Sequence, residues 1–173
     1  MTQTSHNEIF RIATAADIDR CWQILQQGKA QMFREGKHQW TEDYPLRANV
    51  ESDVAGGIAY VLERDGIVIA YAAVVIDGEP AYEQPTVKWL THSHYVVVHR
   101  LAVADEAKRQ GVAARYFHHV EQYAISHNIH SIKVDTNHDN FYIQHLMRSL
   151  GFTLCGEVTY GPRGERLAYE KPL

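Results

Sequence analysis

The stretch best suited to chemistry is a short basic turn at residues 108–113, K-R-Q-G-V-A. It joins a β-branched strand predicted at 96–103 to a helix predicted from Gly111 by its apolar spacing. The first N–H groups of a helix lack intrahelical partners, lie at the positive end of its dipole, and can be approached closely where glycine stands. Three side chains add positive charge: Lys108, Arg109 and Arg115. The turn is therefore a candidate anion site, with an ordinary connection bearing solvated charges as the alternative.

A loop at 39–45, Q-W-T-E-D-Y-P, interrupts the helical periodicity and ends in proline. It carries two large aromatic residues, Trp40 and Tyr44. Aromatic residues in loops often line binding sites, and a buried aromatic plug is the alternative. A second irregular segment at 77–90 contains Glu79 and Glu83 and is expected to lie over one mouth of the predicted sheet.

The histidine and cysteine spacings predict no metal or redox site. The 11 histidines include the close pairs His92 with His94 and His118 with His119, but no H-E-x-x-H motif or convergent Cys/His set accompanies them. We therefore expect no functional metal. The two cysteines stand in no redox spacing and are expected to be buried, reduced thiols: Cys21 and Cys155.

Periodicity predicts the elements that position these residues. The first half begins with an edge strand at 8–12, a helix capped at Thr14 and ending near Gly36, and a short helix at 49–55. Asp65-Gly66 between β-rich runs predicts a hairpin with a type I′ turn. The remaining elements are strands at 58–64, 67–76 and 95–103, a helix at 111–126, a strand at 131–135, a helix at 141–150, and strands at 152–160 and 167–171. This order predicts an α/β (α+β) fold, a mixed, mostly antiparallel sheet of six to seven strands with helices on both faces.

Length and charge exclude several classes of protein. We expect 173 residues to form one domain spanning 1–173. The balance of 17 basic and 21 acidic residues gives a net charge of −4, which argues against broad binding to nucleic acid or membrane surfaces. The N-terminal residues lack signal-peptide features and no apolar run approaches a membrane span, so a cytoplasmic location is expected.

Three motifs together are more specific than any one of them. H-R-L-A-V ends a strand, K-R-Q-G-V-A opens a helix, and D-N-F-Y-I-Q-H-L-M-R-S-L-G-F ends in a helix-stopping glycine. This combination resembles the GNAT superfamily of acyl-CoA-dependent N-acyltransferases. The loop at 39–45 and the closing R-L-A-Y-E-K look like those of small bacterial members of undefined substrate.

The resemblance implies acetyl-CoA as cosubstrate, with no metal. The turn would hold the pyrophosphate through backbone donors, with Lys108 replacing the Gln or Arg of the family pattern. The backbone at 101–103 would pair with the pantetheine arm like an added strand, and the Val103 N–H would polarise the thioester carbonyl. The implied cofactor-binding residues are Leu101, Ala102, Val103, Lys108, Arg109, Gln110, Gly111, Val112, Ala113, Ala114 and Asn140.

The resemblance leaves the proton-transfer groups less well defined. His99 is the first candidate base, because it lies on the strand leading to the thioester, shares side-chain parity with Leu101 and Val103, and suits proton transfer near neutrality. A structural histidine satisfied within the sheet is the alternative. Glu79 and Glu83 are other candidate bases or amine ligands, with solvated loop charge as the alternative, and Trp40 and Tyr44 would form an acceptor wall.

The general acid is missing from its expected place. Family members often carry a tyrosine in the pattern Leu-Tyr-x-x-x-Gly-Phe, and here Met147 stands at that position and cannot donate a proton. Tyr142 is five residues away, about 500° round the helix, which argues against it as a substitute.

Three functions follow as hypotheses. The first is an N-acetyltransferase in which a primary amine of a small molecule or peptide attacks acetyl-CoA directly. The second is a catalytically weak module that binds CoA or acyl-CoA, and the third is a regulator that binds a nucleotide phosphate. The sequence leaves open whether the protein forms a homodimer.

Overall fold

The computed structural model describes residues 7–173, and residues 1–6, part of the segment expected to lack a signal peptide, lie outside it. Its strands are β1 (Glu8–Ile12), β2 (Ala59–Arg64), β3 (Ile67–Ile76), β4 (Val96–Val103), β5 (Ser131–Thr136), β6 (Thr153–Thr159) and β7 (Glu165–Pro172). Its α-helices are α1 (Ile18–Arg34), α2 (Arg47–Ala55), α3 (Val112–Ser126) and α4 (Phe141–Ser149). The strands form a seven-stranded sheet in the order β1-β2-β3-β4-β5-β7-β6.

The predicted fold class is confirmed. Each neighbouring pair of strands is antiparallel except β4 with β5, which run parallel. The hairpin turn is also as predicted, because Asp65 and Gly66 have φ of 50° and 84°, the positive values that a type I′ turn requires. The boundaries shift by a few residues: a 3₁₀ turn at Ala15–Asp17 precedes α1, and β7 begins at Glu165 rather than Leu167.

Two tyrosines show that the helices cover both faces of the sheet. Tyr60 on β2 pairs with Ala72, whereas Tyr71 pairs with Val61, so the two tyrosines point to opposite faces. The Tyr60 ring contacts that of Tyr123 on α3, with 5.1 Å between centroids. The Tyr71 hydroxyl donates to Asp53 on α2. The sheet therefore lies between α2 and α3, with α1 packed against α2, β3 and β4.

The centre of the sheet opens between β4 and β5. Their register contains only Val96 with Ile132 and Val97 with Lys133, and within the described strands it gives no further pair along residues 98–103. β5 continues instead along β7 through Thr136. One edge of β4 is thus left unpaired inside the sheet, beside the start of α3.

A bulge in β4 corrects the predicted parity of His99. On β3, Tyr71 and Ala73 are two positions apart, but their partners on β4, Ala102 and His99, are three positions apart. The extra residue is accommodated at Arg100, whose φ is 58°. His99 consequently shares a face with Ala102, and the expected parity with Leu101 and Val103 is wrong.

Other expectations concern the core and the membrane. Cys21 and Cys155 are free and buried, as predicted. Within residues 7–173 the structure has no helix with the length and apolar character needed to cross a bilayer.

Candidate active site

A cleft of about 690 Å³, here called the main cleft, lies where β4 separates from β5. Its floor is the β4 segment at 101–103, and one wall is the turn that begins α3. Gly28 and Gln31 of α1 form another part of the wall. The cleft collects most of the predicted cofactor-binding residues: Leu101, Ala102, Val103, Lys108, Arg109, Val112, Ala113 and Asn140. Gln110, Gly111 and Ala114 lie in the same turn but do not line it.

The turn has the backbone geometry of an anion site. Gly111 is the N-cap of α3 and adopts a left-handed conformation, with φ of 70° and ψ of 17°. Val112 and Ala113 follow with buried side chains. Because α3 begins at Val112, the N–H groups of its first turn have no intrahelical acceptor and carry the positive end of the dipole.

The basic side chains of the turn are more engaged than the sequence suggests. Lys108 Nζ donates to Gln31 Oε1 at 2.6 Å and also pairs with Asp105. Arg115 is paired with Glu8, 2.8 Å from Nε to Oε2. Arg109 is exposed and lines the main cleft, so it is the basic side chain of the turn most available to a ligand.

The start of α4 contributes the remaining wall. Asn140 is buried, and its Oδ1 accepts a hydrogen bond from the Ile143 N–H at 3.4 Å, which caps the helix. Met147 is fully buried in the core and does not face the cleft. Tyr142 does line the main cleft. Its offset of five residues along the helix places it away from Met147, but not away from the cleft.

A second cavity of about 400 Å³, here called the polar cavity, adjoins the main cleft at Trp40, which lines both. His99, Tyr44 and Glu79 line it, so the structure brings four of the predicted catalytic and acceptor residues together. Glu83 does not join them. It is exposed and lines a different cleft with Asp77 and Lys133, because the 3₁₀ turn at Pro80–Glu83 separates it from Glu79.

His99 and Glu79 form a pair in the polar cavity. His99 Nε2 lies 3.2 Å from Glu79 Oε2, with side-chain exposures of 25% and 15%. The hydrogen bond to His99 holds the pKa of Glu79 below its usual value, against the opposing effect of burial. Glu79 Oε1 also accepts from the Ala81 N–H at 3.2 Å, which fixes the carboxylate. The ionised carboxylate can therefore hydrogen-bond the imidazole and fix its orientation.

A buried network that the sequence analysis missed supports this cavity. The Nη2 atom of Arg100 lies 2.7 and 2.6 Å from the two carboxylate oxygens of Asp53. Arg100 Nη1 also donates to the Tyr44 hydroxyl at 3.1 Å, and Tyr71 donates to Asp53. Burial and the Asp53 charge raise the pKa of Tyr71, so it stays a donor. Nothing local in the sequence distinguishes Arg100 from an ordinary strand residue.

Gly28 explains how Trp40 reaches the junction of the two cavities. A Cβ atom at Gly28 would lie 2.8 Å from Trp40 Cζ3, closer than real Cβ contacts. The indole therefore packs against the bare backbone of α1, and Trp40 is buried. A glycine inside a helix lowers its stability relative to alanine. The presence of Gly28 within the predicted helix was therefore the sequence signal for a close contact at this position.

Two further tyrosines converge on Asp135 in the polar cavity. Asp135 Oδ2 accepts from Tyr160 at 2.7 Å and from Tyr82 at 2.8 Å. Burial, reinforced by the Asp135 charge, raises the pKa of both hydroxyls, so both remain protonated donors.

Within the described residues, the group of side chains close enough to hold a metal ion is His138, Glu157 and Glu165, with ligand atoms within 4.8 Å of one another. All three are exposed, and none belongs to the histidine pairs noted in the sequence. His94 lies by Asp77 and His118 by Glu121 instead.

Comparison with known proteins agrees with this architecture. Residues 18–152 match the acetyltransferase (GNAT) family. The solved structure of a GNAT-family acetyltransferase from Streptococcus agalactiae is 30% identical over 96% of this chain and 95% of its own, with a TM-score of 0.87. One from Listeria monocytogenes shares the fold at 16% identity, with a TM-score of 0.78 over 100% of this chain and 99% of its own. The comparison with curated proteins gave no match.

The chain therefore belongs to the GNAT acetyltransferase family, and the resemblance inferred from its motifs is confirmed.

Proposed function

We propose that the protein transfers an acetyl group from acetyl-CoA to a primary amine of a small molecule or peptide. One observation carries the proposal: the unpaired edge of β4 runs from His99 in the polar cavity to Val103 in the main cleft. A ligand paired along this edge would have its reactive end beside a candidate base. Direct attack by the amine then needs no covalent enzyme intermediate.

The residues of the main cleft fit acetyl-CoA. The left-handed Gly111 and the first N–H groups of α3 would bind the pyrophosphate, and Arg109 would add charge. The edge at 101–103 would hydrogen-bond the pantetheine arm by strand addition. The Val103 N–H would donate a hydrogen bond to the thioester oxygen as negative charge develops on it. The cosubstrate supplies the activated acetyl group.

His99 would act as general base in the polar cavity. An amine attacks only when neutral, so an ammonium must lose its proton first. The His99 imidazole would take that proton directly or through one water, and the Glu79 carboxylate would stabilise the imidazolium that results. Trp40 and Tyr44 would form the wall against which the acceptor lies.

Protonation of the leaving thiolate would fall to a group other than Met147. Tyr142 lines the main cleft and has a hydroxyl, and bulk water reaches it because 63% of the residue is exposed. We therefore assign this step to Tyr142 or to water.

The test is transfer of label from isotope-labelled acetyl-CoA to a panel of amines, with CoA binding measured in parallel by calorimetry. We expect labelled N-acetyl product from at least one amine. Tight CoA binding without transfer to any amine would favour the alternative of a catalytically weak CoA-binding module. Preference for ATP or NAD over CoA in competition would instead support a nucleotide-phosphate regulator.

A further inference from the structure

The polar cavity contains a buried arginine that forms no direct ion pair within the described residues. Arg166 on β7 is 4% exposed and lines the polar cavity. Its Nη1 donates to the carbonyl oxygens of Arg163 and Glu165, at 2.7 and 3.1 Å, and within residues 7–173 no carboxylate forms an ion pair with it. Burial lowers the pKa of this guanidinium, and the charge of the Asp135 carboxylate opposes that effect. A buried cation that lacks a direct ion pair is costly, so an anion brought into contact with Arg166 would be stabilised.

A second arginine lies beside it. Arg163 precedes β7 and stacks on the Tyr44 ring, with Cζ 4.0 Å from the ring centroid. The ring holds the guanidinium in place while leaving its hydrogen-bond donors available. Arg163 and Arg166 also line a neighbouring cleft of about 740 Å³, which adjoins the polar cavity through Gln39 and Tyr44. A ligand that enters either cavity would meet the exposed Arg163 and the buried Arg166.

The third arginine of the cavity does not share this role. Arg100 is already neutralised by both oxygens of Asp53. An incoming anion would gain less there than at Arg166, where backbone carbonyls alone accept hydrogen bonds from Nη1.

The anionic groups of the cavity lie on other elements. Glu79 pairs with His99 on β4, and Asp135 on β5 accepts hydrogen bonds from Tyr82 and Tyr160. The two arginines belong to β7 and the turn before it. β5 lies between β4 and β7 in the sheet, so the strand of His99 and the strand of Arg166 are about two strand spacings apart, roughly 10 Å. This arrangement suits a molecule with an amine at one end and an anion at the other.

We infer that the acceptor is a primary amine that also carries an anionic group, most simply a carboxylate, which Arg163 and Arg166 bind while the amine faces His99 and Glu79. This inference rests on the proposed function and narrows it to one substrate class. It disfavours polyamines and neutral arylalkylamines, which would leave Arg166 without a partner.

The test compares acceptors that differ only in their terminal group. Glycine, β-alanine and 4-aminobutyrate would each be assayed against the corresponding amide, with 2-aminoethylphosphonate as a second anion, at saturating acetyl-CoA. We expect kcat/KM for at least one carboxylate to exceed that of its amide by about tenfold or more, the value of a charge-assisted contact. Preference for the phosphonate would identify a phosphate-like anion as the group bound.

The outcomes separate this inference from the proposed function. Equal rates for acids and amides, or acetylation of neutral amines and polyamines alone, would overturn the inference and leave the acetyltransferase proposal standing. Transfer to no amine at all would overturn both.

Variants locate the anion site. Arg163→Gln lies on an exposed turn and should fold, and we expect it to lower the acid-over-amide preference about tenfold. Arg166→Met should abolish that preference, and Arg166→Lys should restore part of it. Arg47→Gln, on the surface of α2, is the matched control and should keep the preference of the parent. An unchanged preference in Arg163→Gln and Arg166→Lys alike would contradict the assignment.

Discussion

The main cleft and the polar cavity present different chemical groups to a ligand. The main cleft presents backbone: an unpaired strand edge at 98–103 and the first turn of α3. The polar cavity presents side chains, such as those of His99, Glu79 and Arg166, from elements far apart in the sequence. A backbone surface recognises what all cosubstrates of one kind share, whereas a side-chain surface can change with the acceptor. Substitutions should therefore act differently in the two regions.

The largest expected effect comes from the network that supports the polar cavity. Asp53→Ala leaves Arg100 buried without its counter-ion, and we expect a loss of about 3 kcal/mol in the free energy of unfolding. Urea denaturation followed by circular dichroism measures it. Tyr71→Phe, which removes one hydroxyl from the same carboxylate, is the control and should cost about 1 kcal/mol. Similar losses in both variants would mean that the Arg100 charge is already compensated elsewhere.

Removing the candidate base should affect turnover and spare cosubstrate binding. We expect His99→Gln to lower kcat about a hundredfold, within the range of general base catalysis, with a much smaller change in acetyl-CoA affinity. Steady-state kinetics together with calorimetry of CoA distinguish the two. Parent-like turnover would remove His99 from the mechanism and leave it as a structural histidine.

In the main cleft, backbone conformation should matter more than side-chain charge. Gly111→Val forces a β-branched residue into the left-handed region, and we expect KM for acetyl-CoA to rise about tenfold. Gly111→Asn is the matched control, because asparagine tolerates this conformation. Lys108→Ala should change KM less than Gly111→Val does, since Lys108 is held by Gln31 and Asp105. A larger effect of Lys108→Ala would show that the turn binds through charge.

The smallest expected effect falls on the junction of the two regions. Gly28→Ala pushes on the Trp40 ring, and we expect KM for acetyl-CoA and for the acceptor to rise together, by about threefold. Gln26→Ala, at an exposed position of the same helix, is the control for introducing alanine into α1. A change in one KM alone would place Trp40 in a single region.

The difference between a backbone surface and a side-chain surface also explains which features could be predicted from the sequence. The strand, turn and helix at 96–126 follow from local rules of periodicity, glycine and dipole, and so does the Asp65-Gly66 hairpin. The bulge at Arg100 is not visible in the letters H-R-L-A-V, and it reversed the parity assigned to His99. The pairing of Arg100 with Asp53 spans 47 residues, and no local pattern specifies it. Arg166 was missed because its burial without a direct ion pair exists only after folding.

The short pairing of β4 with β5 has a further consequence for the free protein. An unpaired strand edge is a template on which another chain can add, and proteins usually protect such edges with charge, bulges or cover. Here the edge lies within the sheet and is covered by α1, Trp40 and the start of α4. The gap beside it is suited to one extended molecule. A molecule bound along this edge would also complete the sheet. We therefore expect depletion of acetyl-CoA to lower both the rate of acetyl transfer and the resistance of the protein to aggregation. Saturating CoA should restore that resistance.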